Sequence, residues 1–327
     1  MGMHLYVCPS EPGMTRKVFC QESGPFSIAL DGYVKGGPWF ESKGPRANFN
    51  HHEEVDRLAT RSTCGQVHMA IRSGLFLKFQ NKRGRHAHVY VNDCDEDVSL
   101  AWFLLQHGNI VEQRDEKKTD PEVYRRLYRL VMMEDLLDTT SGAYPLPTDY
   151  PTLAEVNWVF EPYQEFRLVG HLRKRDRHEF REVIETVGDR AMRYIHGRGK
   201  TVDLDLRFDV VGGGPGWSLV RKIGAQARTG IFAAGIYAYI MVEQRGNEPL
   251  WDYKLFRTSL FVDFDIPSAY RRLNKAEGLL DNPDHWGGSQ TTGGSAVIAG
   301  SKLSPTEIEE IINKECCCKA NQNRKRS

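Results

Sequence analysis

The chain has no long hydrophobic run. Its longest, Ile231 to Val242, is twelve residues and carries Gly235 and two tyrosines, well short of the ~20 apolar residues a membrane-crossing helix needs. No membrane-spanning segment is expected. The opening Met-Gly-Met-His-Leu-Tyr-Val-Cys-Pro lacks the charged and apolar regions of a secretory signal. It also has Tyr6 where a myristoylation pattern needs Ser or Thr. Charge of one sign is absent too: 44 Lys and Arg against 43 Asp and Glu leave +1. That balance excludes a polybasic protein whose whole surface grips nucleic acid. Cysteine is sparse and unpatterned. Cys8, Cys20, Cys64 and Cys94 lie far apart, Cys316, Cys317 and Cys318 form a triplet, and no CxxC occurs. Neither a disulfide framework nor a thiolate zinc site is expected, and a reducing, cytoplasmic compartment is the default.

What is present suits a globular protein with a sizeable core: 327 residues, 40% hydrophobic and 27% charged, with about two domains at roughly 150 residues each. The first half repeats one grammar. Phe26 to Leu30 reads as a strand ending at Asp31, Ala47 to Phe49 runs into Asn50-His51-His52, and Ala87 to Val91 ends at Asn92-Asp93. Helical patterns follow over Thr63 to Arg72 and Val98 to His107, and Asp120-Pro121 starts another. Strand, polar turn and helix in alternation predict an α/β fold, a mostly parallel sheet with flanking helices, with functional groups at the carboxyl ends of the strands.

The proline-bearing stretch from Gly142 to Pro162 reads as a connection, and 176–195 as an amphipathic helix. The expected divisions are therefore a catalytic domain over 1–150 and a linker with a connecting helix over 151–200. A smaller α+β domain over 201–315 would bind substrate and close, and 316–327 would be a disordered basic tail. Within the second domain, strands are predicted over 202–211, 234–243 and 251–258. A glycine-rich turn at 212–216 and a helix over 217–228 would separate the first two.

Three clusters carry candidate chemistry. Adjacent histidines after a β-like stretch, as in Asn50-His51-His52, cannot both face the core, and imidazole with carboxylate suits divalent metals. In Asp93-Cys94-Asp95-Glu96-Asp97, four carboxylates stand within five residues and repel one another unless a cation, a helix N-terminus or water relieves them. An acidic helix start accounts for Glu96 and Asp97 but less well for Asp93 and Asp95, where a hydrophobic strand ends. Asp135 and Asp138 share a helix face at i, i+3. Alone, the first cluster reads as a solvated loop and the third as surface charge.

Together these segments resemble the DHH phosphoesterase superfamily of pyrophosphatases, single-strand exonucleases and cyclic-dinucleotide or nano-RNA hydrolases, which use two manganese ions. Asn50-His51-His52 is similar to the Asp-His-His signature, and Ser62-Thr63-Cys64 to the helix start after it. Asp93-Cys94-Asp95 is similar to the Asp-x-Asp motif, and Met133 to Gly142 to the Asp motif closing the catalytic domain, with Asp31 as the remaining single Asp. The eukaryotic exonuclease-like branch is the nearest in appearance. Three features depart from the family. The motif order is inverted, Asn50 replaces an acidic ligand, and 293–300 lacks the His of a Gly-Gly-Gly-His motif.

The resemblance implies a metal set of Asp31, Asn50, His51, His52, Asp93, Asp95, Asp135 and Asp138, filled by Mn2+ or else Mg2+ or Zn2+. His51 or His52 would be the catalytic acid. Arg61, Ser62 and Thr63 at a helix start, and Arg173 and Arg175 in the basic stretch 171–181, would contact phosphate. The expected activity is hydrolysis of a phosphodiester or phosphoanhydride in a nucleotide or short single-stranded nucleic acid, without a membrane partner and with homo-oligomers open. The alternative is a nucleotide-sensing or assembly module that has lost catalysis.

Overall fold

The computed structural model describes residues 2–10, 13–113, 120–142, 144, 146–147, 149–246 and 248–314. The expected tail at 316–327 lies outside them. The chain divides into two compact units: Met1–Thr139 with Tyr150–Asp203, and Thr140–Asp149 with Leu204–Ser327. Each has helices and a mixed sheet. No described helix is long and apolar enough to cross a membrane.

The first unit runs β1 (Gly2–Val7), α1 (Arg16–Glu22), β2 (Ser27–Leu30), β3 (Trp39–Glu41), β4 (Arg46–Phe49), α2 (Thr63–Arg72), β5 (Gln80–Asn81) and β6 (Gly84–Val91). Then come α3 (Glu96–Gln106), α4 (Gly108–Glu112), α5 (Pro121–Thr139), α6 (Pro151–Leu168) and α7 (Arg177–Ile195). The sheet order is β1-β6-β2-β4-β3, with β5 on β6. β1, β6, β2 and β4 pair in parallel, and β3 and β5 are antiparallel additions. All four residues of β2 are buried, as befits a parallel strand covered on both faces. Phe19 of α1 packs with Ala29, Tyr33 and Val34 on one side, and alternation turns Ile28 and Leu30 to the other. Because β2 lies between β4 and β6 and runs parallel to both, three strand ends open at one edge of the sheet.

Residues 151–200 are not a linker. They form α6 and α7 inside the first unit, α6 against α7 and α7 against α3 and α5. Pro151 starts α6 rather than breaking it, as proline does at a first helical position. Pro162 inside α6 leaves the Trp158 carbonyl without its helical donor, and Arg190 Nη1 of α7 supplies one at 2.6 Å. The same guanidinium pairs with Glu161 and lies over the Trp158 ring.

The second unit comprises β7 (Phe208–Gly214), β8 (Trp217–Lys222), α8 (Ala227–Ala233), β9 (Ala238–Gln244), β10 (Trp251–Arg257), α9 (Ile266–Glu277), β11 (Gly287–Gly288), β12 (Thr292–Gly294) and α10 (Pro305–Asn313). Its order is β11-β12-β10-β9-β8-β7, parallel only at β8–β9. The helix expected over 217–228 is instead strand β8 followed by α8. Trp217 and Leu219 enter one core and Val220 the other, so burial on both faces hides the strand period. Gly212 to Gly214 belong to β7 rather than a turn, because α10 lies on them. A Cβ at Gly212 or Gly214 would collide with Glu309 or Asn313.

The capped carbonyl in α6 gives a test. Arg190→Ala is expected to cost about 1–3 kcal/mol by denaturant unfolding, since it leaves the Trp158 carbonyl orphaned. In a Pro162→Ala background, where the helical donor returns, the loss should shrink. Equal losses in both backgrounds would contradict this role for Arg190.

Candidate metal centre

The three strand ends deliver the site. Asp31, directly after β2, has a left-handed φ of 48°, a conformation Asp tolerates better than most residues. His51 and His52 follow β4. The buried His51 ring is the hub: its Nε2 lies 2.7 Å from Asp138 Oδ2, 3.5 Å from Asp31 Oδ1 and 3.7 Å from Asp97 Oδ2. His52 Nε2 lies 2.9 Å from Asp31 Oδ1. Two groups that could hold a metal ion result, Asp31–His51–His52 and His51–Asp97–Asp138, each with its potential ligand atoms within 4.8 Å of one another.

Helix α2 braces this cluster. The Thr63 and Cys64 N–H groups each donate to Asp97 at 2.7 Å, and the Ser62 N–H donates to Asp135 Oδ1 at 2.7 Å. The Thr63 hydroxyl donates to Asp31 at 2.9 Å. Gly65 is required here because a Cβ would run into the Asp135 carboxylate.

The electrostatics are unbalanced. Burial opposes ionisation of Asp31, but His52, His51 and the Thr63 hydroxyl outweigh it and hold the carboxyl at about 2. His52 is pushed up to about 9, the Asp31 carboxylate overcoming burial. Burial also works against a charged His51, and Asp138, Asp31 and Asp97 together raise it nonetheless. The other carboxyls go the opposite way. Burial, then repulsion from Asp138 and Asp31, lifts Asp97 to about 7. Burial lifts Glu96 to about 7 and raises Asp93, and with neighbouring carboxylates it pushes Asp95 and Glu134 well up. His51 Nε2 meets Asp138 Oδ2 at 2.7 Å, but its buried Nδ1 has no hydrogen-bond partner, and Asp31 and Asp97 stay 3.5 Å and 3.7 Å from the ring. One proton on His51 does not satisfy three acids, whereas a divalent cation among imidazole and carboxylate donors would.

The expected residues separate into several roles. Asp31, His51, His52 and Asp138 lie in the ligand sets. Asp93 and Asp95 stand close enough to Asp31 to feel its charge. Asp95 caps α3 by accepting from the Val98 N–H at 2.9 Å, and Asp93 accepts from the Cys94 N–H at 2.7 Å. Asp135 is outside the sets: Arg61 Nη1 and the Ser62 N–H, both at 2.7 Å, occupy its oxygens. Asn50 is also outside them. Its amide donates to the carbonyls of Val34 (3.3 Å) and Gly36 (2.9 Å), and its Oδ1 accepts from the His52 N–H (3.0 Å).

The α2 start does not receive an external anion through Ser62 or Thr63, because the protein's own carboxylates hold those N–H groups. Arg61 is committed to Asp135. Arg175 reaches the Asn92 carbonyl at 3.4 Å and feels Asp93, while Arg173 is exposed in the short 3-10 turn His171–Lys174. Two participants were missed in the sequence. Asp97, at the second position of α3, reads as ordinary dipole compensation. Arg57 lies in a loop without pattern, and its Nη2 bonds the Asp138 carbonyl at 3.0 Å and lies 3.6 Å from Asp138 Oδ2.

No family model, no curated protein and no solved structure matches the chain.

Two tests follow from this geometry. Asn50→Asp removes both donors and sets a carboxylate against two carbonyls. It should destabilise by about 1–3 kcal/mol, with no recovery on adding Mn2+; recovery would make position 50 a ligand. The second concerns pH. Raised carboxyls such as Asp97 and Glu96 favour the folded state below their ordinary values of 3.8 and 4.5, and that contribution is lost as pH rises through about 7. His52, raised, loses its contribution as pH rises from 6.5 through about 9, in the same direction, and Asp31, depressed, loses its own only as pH falls from 3.8 through about 2. The metal-free thermal midpoint should therefore fall between pH 5.5 and pH 8, and Mn2+ should raise it more at pH 8. A flat metal-free profile with no response to Mn2+ would contradict the charge imbalance.

Proposed function

We propose that the first unit is a metal-dependent phosphoesterase that hydrolyses a phosphodiester or phosphoanhydride of a nucleotide or short single-stranded nucleic acid. The observation that carries this reading is the buried His51 ring, a single imidazole facing three carboxylates with its Nδ1 lacking any hydrogen-bond partner. Asp31, His51, His52, Asp97 and Asp138 would hold divalent ions, Mn2+ best, with Mg2+ or Zn2+ as substitutes. Bound there, such ions supply an acidified water and charge neutralisation for a phosphoryl group.

The chain's own groups divide the remaining work. Thr63 fixes the Asp31 carboxylate by its hydroxyl, and Asp97 is fixed by two α2 N–H groups. His52 is the more accessible imidazole, with its side chain 39% exposed. Without metal, Asp31 keeps that ring protonated at neutral pH, and the proton would leave Nε2 when an ion takes that nitrogen. Arg57 beside Asp138 and Arg175 beside Asp93 supply positive charge for substrate phosphates.

Asp138→Asn and His51→Gln are expected to stay folded and to lose at least about 100-fold of Mn2+-dependent turnover of a bis-aryl phosphodiester. Asp135→Asn should instead act on stability, through the start of α2. Unchanged turnover in the first two variants would remove the catalytic reading. Ion and nucleotide binding without any turnover in the parent would favour the sensing module.

A further inference from the structure

A second cluster of imidazoles lies away from the centre around His51, on the exposed face of strands β1 and β6. Parallel pairing sets His4 directly opposite His88 and Gly2 opposite His86. Two-residue spacing along β6 puts His86 and His88 on the same face. The three ring centroids are 5.0 Å (His86–His88), 5.3 Å (His4–His88) and 5.9 Å (His4–His86) apart. Three imidazoles sharing one tetrahedral ion at about 2.0–2.1 Å per nitrogen keep their centroids roughly 5 Å apart.

The rings stand near that spacing, but their nitrogens are not all within 4.8 Å of one another, so binding an ion would turn at least one ring. Tyr6 Oη lies 3.0 Å from His88 Nδ1, the outer partner that commonly fixes the tautomer of a metal-bound histidine and leaves Nε2 free to ligate. His86 Nδ1 is buried without a hydrogen-bond partner, against Gly2, where a Cβ would collide with it. With Nδ1 against the backbone, Nε2 is the nitrogen His86 can offer to an ion. His4 is exposed on the edge strand, so its ring turns without repacking the core. Burial and the two neighbouring imidazoles lower the His88 pKa, which favours its neutral, ligating form.

We propose that His4, His86 and His88 form a second metal site, an all-imidazole site on the sheet face for a borderline divalent ion such as Zn2+ or Cu2+. Three neutral nitrogens with no carboxylate select such ions over Mn2+ and Mg2+, so the two centres differ in the metal they prefer. The site ties the edge strand β1 to β6 and is independent of the phosphoesterase reading.

The test is titration of the metal-freed full chain with Zn2+ and with Cu2+, beside His4→Gln and His88→Gln. Metal taken up around His51 is common to all three proteins and cancels in the comparison. The parent should bind one equivalent of Zn2+ more than either variant. Its Cu2+ electron paramagnetic resonance spectrum should contain a multi-nitrogen component that both variants lack. His4 is exposed, so His4→Gln keeps the test decisive even if His88→Gln fails to fold. Equal stoichiometry and equal spectra in the parent and His4→Gln would overturn the site.

Discussion

Buried negative charge that the internal cations offset only in part is the constraint on which the first unit depends. Asp31, Asp97 and Asp138 converge on one imidazole, with Asp93, Asp95, Glu96 and Glu134 within electrostatic reach. Buried like charges cost several kcal/mol unless paired or protonated. The fold offsets part of this with the first N–H groups of α2, which hold Asp97 and Asp135 where a free helix start would hold a foreign anion. It offsets another part with the Thr63 hydroxyl on Asp31. The remainder falls on the single His51 imidazole, which faces three carboxylates.

The sheet explains how segments distant in the chain meet. β2 is flanked by β4 and β6 in parallel, so their carboxyl ends are neighbours whichever comes first in sequence. The inverted motif order thus places no barrier to a shared site, because adjacency is set by strand order and not by chain order. Asp138 comes from a different layer. α5 carries Glu134 and Asp135 on its buried face, and one turn separates the residue that braces α2 from the one that meets His51.

Much of this unit was legible because its signals are local. The α2 boundaries follow from Ser62 as N-cap and the apolar spacing that follows it, and Asp31 and His51-His52 were picked out as polar groups at strand ends. What was not legible depends on tertiary context. Asn50 looks like a degraded ligand, but its amide spans the carbonyls of Val34 and Gly36, contacts with no trace in the sequence. Asp97 reads as a helix-start acid, and only the approach of α2 turns it into a central carboxylate. Pro162 suggested a linker because proline signals a break, and its compensation by Arg190 lies in another helix. In the second unit, burial of both faces of β8 erased the alternation that marks a strand.

The central claim is that divalent ions occupy the space around His51. The most direct measurement is diffraction from crystals soaked in Mn2+, recorded for manganese anomalous scattering. The account predicts a peak within coordination distance of His51 and of oxygens from Asp31, Asp97 or Asp138. No peak there would contradict it.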